Sequence, residues 1–238
     1  MALPRIHDPT SRSYKEIKHA AIAVGVGALP GVLHAGVLFF DIRGKHEVML
    51  LHLGMHHALR CEEPTGYHWV ELSIIPERAR LIARLCRKIE QRYPDGKLKY
   101  ALSYTGGAFA ADGAYLTESG RGLTCVTFVL AVFAGQGVSL IQSDAWPVRD
   151  EDKKAQLAIV ALIESEMKKN QAGLEGAELE AARKEDHEHL EAVRKEVGCA
   201  RFRAEEVAAA GASPSTPADF TYSSSQGVIV KKMLLKAS

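Results

Sequence analysis

Residues 120–137 read Gly-Arg-Gly-Leu-Thr-Cys-Val-Thr-Phe-Val-Leu-Ala-Val-Phe-Ala-Gly-Gln-Gly. Residues 123–134 carry no charge, so a helix formed by them would be apolar on every side and therefore buried. Thr124 suits the N-cap position, and the glycines at the far end of the stretch suit a helix end. This stretch therefore predicts a buried helix that begins at Cys125.

The first turn of a helix gives a cysteine an unusual environment. Unpaired backbone N–H groups and the positive end of the helix dipole stabilise a thiolate there. A thiolate is a nucleophile, and the same N–H groups could hold an oxyanion. The alternative interpretation is a small buried cysteine in a core helix, because free cysteine is among the most buried residue types. The stretch by itself leaves both interpretations of Cys125 open.

Length and composition exclude some classes of protein. The chain has 238 residues, which fits one large domain or one domain with an extension. The net charge of +1 and the dispersed basic residues predict no nucleic-acid partner. The 4 cysteines are scattered, unlike a disulfide framework, and the first 19 residues are too polar for a signal peptide. We therefore expect a cytoplasmic protein, with export by a route that needs no signal peptide left open.

Residues 20–40 are the one segment that could suggest a membrane protein, since they contain no Asp, Glu, Lys or Arg over 21 residues. That length is sufficient to span a bilayer. The segment is rich in Gly and Ala, however, and is interrupted by Pro30 and His34. Its alternating Ile and Val residues favour strands over a helix. We therefore do not expect a membrane partner.

Hydrophobic periodicity predicts an α+β chain. Strands are predicted over residues 20–27, 32–42, 47–53, 69–75, 97–104 and 227–235. Helices are predicted over residues 76–93, 150–170, 172–197 and 204–210. Arg43-Gly44 is a turn pattern, so the second and third strands should form a long hairpin.

Two histidines lie on this predicted hairpin. A cysteine nucleophile needs a base, and the base needs an orienting group. A two-residue turn would pair position 34 with position 53, whereas one residue of bulge would bring His34 and His52 together. A contact between the two rings would fix the tautomer of the base. The alternative for each histidine is a ring in the core or at a sheet edge that is bonded to a carbonyl.

These motifs resemble a known family. His34-Ala-Gly-Val-Leu-Phe-Phe, followed by Leu51-His52-Leu, is similar to the His-x-Gly-Ile-Tyr hairpin and following polar position of NlpC-like papain-fold hydrolases. Thr124-Cys125-Val-Thr-Phe-Val resembles their Cys-Ser-x-Phe-Val helix start. The histidine hairpin here comes about 90 residues before the cysteine, as in the circularly permuted branch that includes lecithin–retinol-acyltransferase-like proteins. The resemblance covers about residues 20–145.

The resemblance implies roles for individual residues. Cys125 would be the nucleophile, His34 the base and His52 the orienting residue. The hairpin is longer than the family's usual one, so His46, nearer the turn, competes with His52 for the third position. The segment around Tyr104 is similar to the family's Tyr-x-x-Gly-Gly loop, which makes Tyr104 a candidate for oxyanion or substrate contact. A plain aromatic residue at a strand end is the alternative for Tyr104.

Two clusters contain residue types that can bind a metal ion. The histidine-rich connection contains His57-x-x-x-Cys61, but no Cys-x-x-Cys pair accompanies it. Residues 186–189 read Asp-His-Glu-His inside a charged helical segment, where residues two apart do not share a helix face. Neither a Walker loop nor a Gly-x-Gly-x-x-Gly motif is present. We therefore expect no metal and no cofactor.

The sequence and the resemblance together predict two units. Residues 1–149 would form a permuted papain-like catalytic domain, with an antiparallel sheet packed on the buried Cys125 helix. Residues 150–238 would form a mainly helical C-terminal extension packing on it. The predicted function is a cysteine-dependent hydrolase of the amidase or peptidase type, acting on a peptide, isopeptide or acyl substrate through an acyl-enzyme. The oligomeric state is not predicted.

Two alternative functions stay open at this point. One is a non-catalytic interaction module on the same fold, with the charged residues 150–200 as the partner surface. The other is a thiol acyltransferase or lipid esterase, which would use the same Cys125, His34 and His52.

Overall fold

The computed structural model describes residues 5–42, 44, 46–116 and 122–237. Its strands are β1 (Ile6–His7), β2 (Ala20–Val26), β3 (Leu33–Phe40), β4 (Val48–Leu53), β5 (Leu59–Glu62), β6 (His68–Val70), β7 (Ala108–Phe109) and β8 (Tyr115–Leu116). Its helices are α1 (Pro76–Arg92), α2 (Cys125–Ala134), α3 (Asp152–Asn170), α4 (Gly176–Lys195), α5 (Ala204–Gly211) and α6 (Phe220–Ala237). Short 3-10 turns lie at Tyr14–Glu16 and Ser143–Ala145.

Six of the described strands form one antiparallel sheet in the order β1-β6-β2-β3-β4-β5, and β7 pairs with β8 separately. The central strands β2, β3 and β4 are almost entirely buried on both faces, which explains their nearly continuous apolar sequences. The fold is therefore α+β, with the predicted histidine hairpin at the centre of the sheet.

The two faces of the sheet are covered differently. One face contributes residues such as Val37, Phe39 and Leu51 to the main hydrophobic cluster, together with helices α1, α2 and α5. The other face is covered by a smaller cluster around Trp69 and Leu50. Helix α2 lies inside the main cluster, with every residue from Cys125 to Phe133 buried, so the predicted buried helix is confirmed.

The C-terminal helices pack on the sheet through small residues. All of α5 is buried against β2 and α6, and its Ala and Gly residues allow a close approach to Ile22 of β2. One hydrophobic cluster contains residues from both sides of the predicted boundary at 149–150. The helical part of the chain is therefore continuous with the core of the sheet.

Two predicted strands are wrong. Residues 227–235 lie within α6, where Val230 and Leu234, four residues apart, are buried on one helical face. Residues 97–104 are not in a strand, because their backbone groups bond to loop residues and side chains instead of a neighbouring strand. Leu98 accepts from His57, for example, and Glu196 accepts from Leu102 and Ser103. The strand predicted over 69–75 is confirmed only at its start, since β6 ends at Val70.

The uncharged residues 20–40 form the paired strands β2 and β3 and the turn between them. Among the residues that the structure describes, none of the helices has the combination of length and hydrophobicity that a membrane crossing requires.

Candidate active site

The β3–β4 hairpin brings two histidines together by an arrangement that differs from both predicted registers. Phe40 pairs with Val48, so the turn is longer than a two-residue turn or a single bulge. Extending this register puts Gly36 opposite His52, and His34 follows two residues further along the same face. The rings therefore meet diagonally, with His34 Nε2 2.8 Å from His52 Nδ1.

Gly36 creates the room for this contact. A Cβ atom at position 36 would lie 2.9 Å from the Cβ of His52, closer than real Cβ atoms come. The glycine of the His34-Ala-Gly motif is thus required where the His52 side chain crosses β3.

Cys125 is presented by the start of α2. Thr124 caps the helix, since its hydroxyl accepts from the Thr127 N–H at 3.0 Å while its own N–H donates to the Thr127 hydroxyl at 2.7 Å. Cys125 is therefore the first helical residue, where the helix dipole favours negative charge. It is 8% exposed.

The His34 ring and the Cys125 sulfur interact directly. Burial by itself raises the pKa of Cys125, but the His34 charge and hydrogen bond, the Ala35 N–H and the Tyr100 hydroxyl together lower it to about 7. Burial lowers the pKa of His34, and the charge and hydrogen bond of Cys125 outweigh it and raise that pKa. Because Nε2 of His34 faces His52, its Nδ1 is the nitrogen left for the sulfur.

His52 is held as a neutral ring. Burial, then the nearby His34 charge, lower the pKa of His52 to about 4, against the opposing effect of Glu62. His52 Nε2 lies 3.2 Å from Glu62 Oε1, which assigns the proton to Nε2 and leaves Nδ1 to accept from His34. The four side chains form the series Cys125–His34–His52–Glu62, whose last member the sequence analysis missed. Glu62 follows from the sheet register, since β5 pairs with β4 and brings it beside His52.

Tyr100 is a further residue that the sequence analysis missed. The Cys125 N–H donates to its hydroxyl at 3.2 Å, and that hydroxyl also hydrogen-bonds the Cys125 sulfur. Burial raises the pKa of Tyr100 well above 10.0, so the phenol stays protonated. Its backbone is held on both sides: His56 Nδ1 accepts its N–H at 3.3 Å, and His189 Nε2 donates to its carbonyl at 2.8 Å. No local pattern separates Tyr100 from Tyr104.

The other two predicted site residues lie elsewhere. The Tyr104 hydroxyl donates to the Gly107 carbonyl at 3.0 Å, and its ring packs edge-on against Phe202 with centroids 5.9 Å apart. His46 is exposed in the hairpin turn, with a φ of 56° and its N–H on the Asp41 carbonyl. The structure thus brings His52, and not His46, to His34.

The histidine-rich segments form a stack beside this site. The ring centroid of His56 lies 4.0 Å from that of His57 and 4.9 Å from that of His189. Burial, then the neighbouring positive charges, lower the pKa of His56 to about 3. Within residues 5–42, 44, 46–116 and 122–237, no group of three or more His, Cys, Asp or Glu side chains is arranged to hold a metal ion.

A cavity of about 60 Å³ opens next to Cys125. His34 and Tyr100 lie in its wall, and the far side is built by α3 and by the segment that leads into α5. Cys125 therefore borders a defined space, although little of the residue is exposed to bulk solvent.

Comparisons with protein-family models, with curated proteins and with solved structures found no match for this chain.

Proposed function

We propose that this chain is a cysteine-dependent hydrolase that uses Cys125 as nucleophile, His34 as base and His52 as the group that orients the base. The observation that supports it best is that one histidine contacts both the sulfur at a helix N-terminus and a second histidine. A cysteine, a base and an orienting group are the parts that nucleophilic thiol catalysis needs. We also propose that the fold is permuted papain-like. The antiparallel sheet packed on the Cys125 helix supports this part of the proposal.

The reaction proceeds in two steps. His34 takes the proton of Cys125, and the thiolate attacks a substrate carbonyl, so that a C–S bond forms and the leaving group departs with the proton from His34. Water then gives a proton to His34 and adds to the thioester carbonyl. The C–S bond breaks, the acid product leaves, and the thiol is restored. An amide, ester or thioester satisfies this scheme.

The Tyr100 hydroxyl is proposed to stabilise the oxyanion. It lies at the helix start, 3.2 Å from the Cys125 nitrogen, and it stays protonated because it is buried. Since this hydroxyl accepts from the Cys125 N–H, its own proton can turn from the sulfur to the oxygen of a carbonyl attacked at Cys125, which makes it a suitable donor. This role replaces the one that the family resemblance suggested for Tyr104.

Alkylation with iodoacetamide tests the proposal without a known substrate. Because the pKa of Cys125 is about 7, its alkylation rate should rise with pH around neutrality. Cys199 is a control thiol in the same chain, since burial, then Glu196, raise its pKa to about 11. Peptide mapping should therefore find modification of Cys125 at pH 7 well ahead of Cys199.

Two variants test whether His34 is the group that lowers the pKa of Cys125. His34→Ala should move the half-maximal alkylation of Cys125 to higher pH, because burial is then opposed only by the Ala35 N–H and the Tyr100 hydroxyl. The exposed His187→Ala is the matched control and should leave the profile unchanged. Unselective alkylation of Cys125, or a profile that His34→Ala does not move, would support the non-catalytic interaction module instead.

A further inference from the structure

The cavity beside Cys125 has walls from distant parts of the chain. Met55 and Leu102 line it from the N-terminal half of the chain, while Ile159 and Leu162 of α3, together with Phe202, line it from the C-terminal part. The C-terminal helices therefore form one side of the space that adjoins the nucleophile.

Polar side chains in this wall are already bonded within the protein. Gln156 donates to and accepts from backbone groups of a neighbouring loop at 2.9 and 2.8 Å. Arg201 is ion-paired with Asp152 at 2.9 Å, and Thr124 and Thr127 bond each other in the helix cap. A charged group entering the cavity would lose its hydration without gaining a dedicated partner, whereas an apolar group would gain apolar contacts.

The volume limits the size of the occupant. An apolar cavity of about 150 Å³ holds one benzene ring, so about 60 Å³ corresponds to roughly two to three carbons. An acyl tail of about two to three carbons beyond the reacting carbonyl fills that space, and a long fatty-acyl chain exceeds it.

We propose that this cavity is the acyl-binding pocket and that it selects a short, uncharged acyl group whose tail beyond the carbonyl has about two to three carbons, with α3 as its specificity wall. The proposal rests on the proposed function, because the acyl group must be attached to the carbonyl that Cys125 attacks. Part of the C-terminal helical region is then a component of the substrate site.

A series of p-nitrophenyl esters tests this proposal with the full chain. Acetate, butyrate, hexanoate and octanoate esters vary the acyl length, and the hemisuccinate ester carries a charge at nearly the same length as butyrate. Cys125→Ala gives the background rate. We expect kcat/KM to be highest for butyrate, by at least about tenfold over both octanoate and hemisuccinate.

A variant pair on one helix locates the wall. Leu162→Ala, which enlarges the cavity, should move the preferred ester from butyrate to hexanoate. Leu157→Ala is the same change on the exposed side of α3, where Leu157 is 58% exposed, and should keep the wild-type profile.

The outcomes separate the two proposals. A Cys125-dependent rate that is flat with chain length, highest for octanoate or highest for hemisuccinate would overturn the pocket assignment alone. The same holds if no ester reacts although iodoacetamide still modifies Cys125 selectively at neutral pH. Loss of both ester cleavage and selective alkylation would overturn the proposed function as well.

Discussion

At the scale of single residues, a small number of contacts define the candidate site. The sulfur of Cys125 is in a buried position that disfavours charge, and the groups around it, His34 first, more than compensate. His34 in turn depends on the neutral His52 to accept its Nε2 proton. Each contact in this series can be tested by itself.

His52→Ala should slow Cys125-dependent cleavage of p-nitrophenyl butyrate by about thirtyfold. The change removes the hydrogen bond that His34 makes when charged, and such bonds contribute about 2 kcal/mol. His46→Ala is the matched control, because His46 is exposed in the hairpin turn and should not affect the rate. Stopped-flow acylation rates would measure both, and the reverse order of effects would assign the orienting role to His46.

At the scale of elements, hydrogen bonds fix the start of α2 and the backbone of Tyr100. The Thr124–Thr127 pair fixes the start of α2, and His56 and His189 hold the two backbone groups of Tyr100. His189 belongs to the stretch 186–189, which the sequence analysis placed inside a charged helical segment. One face of α4 is thus buried against the site while the rest is exposed.

Thr124→Ala should lower the free energy of unfolding by about 1 kcal/mol, because the helix loses its N-cap hydrogen bond. Urea denaturation monitored by circular dichroism would measure the change. Thr65→Ala, at an exposed position, is the control and should stay within about 0.5 kcal/mol of wild type. An equal effect of the two changes would show that the cap contributes nothing specific.

At the scale of the whole molecule, buried charges join the C-terminal helices. Arg149 bonds both Asp152 of α3 and Glu206 of α5, and the two acidic side chains are 2% and 3% exposed. Burial raises the pKa of Asp152, but bonds to Arg201 and the neighbouring arginines outweigh it and lower that pKa below 3.8. This contribution to stability is therefore present above pH 3.8 and is lost as the pH falls through the lower folded value.

Arg149→Met should destabilise the chain by about 3 kcal/mol at pH 7, because it leaves the buried Glu206 without its ion pair and removes one of the arginines around Asp152. Arg183→Met breaks the exposed pair with Glu180 and should cost less than about 1 kcal/mol. Urea unfolding of both variants would test this difference. The difference between the two variants should narrow as the pH falls below 3.8 and through the lower folded pKa of Asp152. A difference that is constant with pH would contradict the charge explanation.

The sequence by itself determined the elements whose pattern is local. The uncharged run after Thr124 specified a buried helix beginning at Cys125, and the apolar runs on either side of residues 43–44 specified the hairpin with His34 and His52. These conclusions held because burial and capping depend on neighbouring residues. By contrast, the apolar residues 227–235 were compatible with either period, and packing on α5 selected the helix.

Only the tertiary structure decided which side chains meet. The β3–β4 register placed His34 diagonal to His52, the sheet order brought Glu62 to the same ring, and the path of residues 97–104 chose Tyr100 over Tyr104. The wall that α3 contributes to the cavity arises in the same way. Such contacts join residues far apart in the chain, so they depend on how whole elements pack and not on any local pattern.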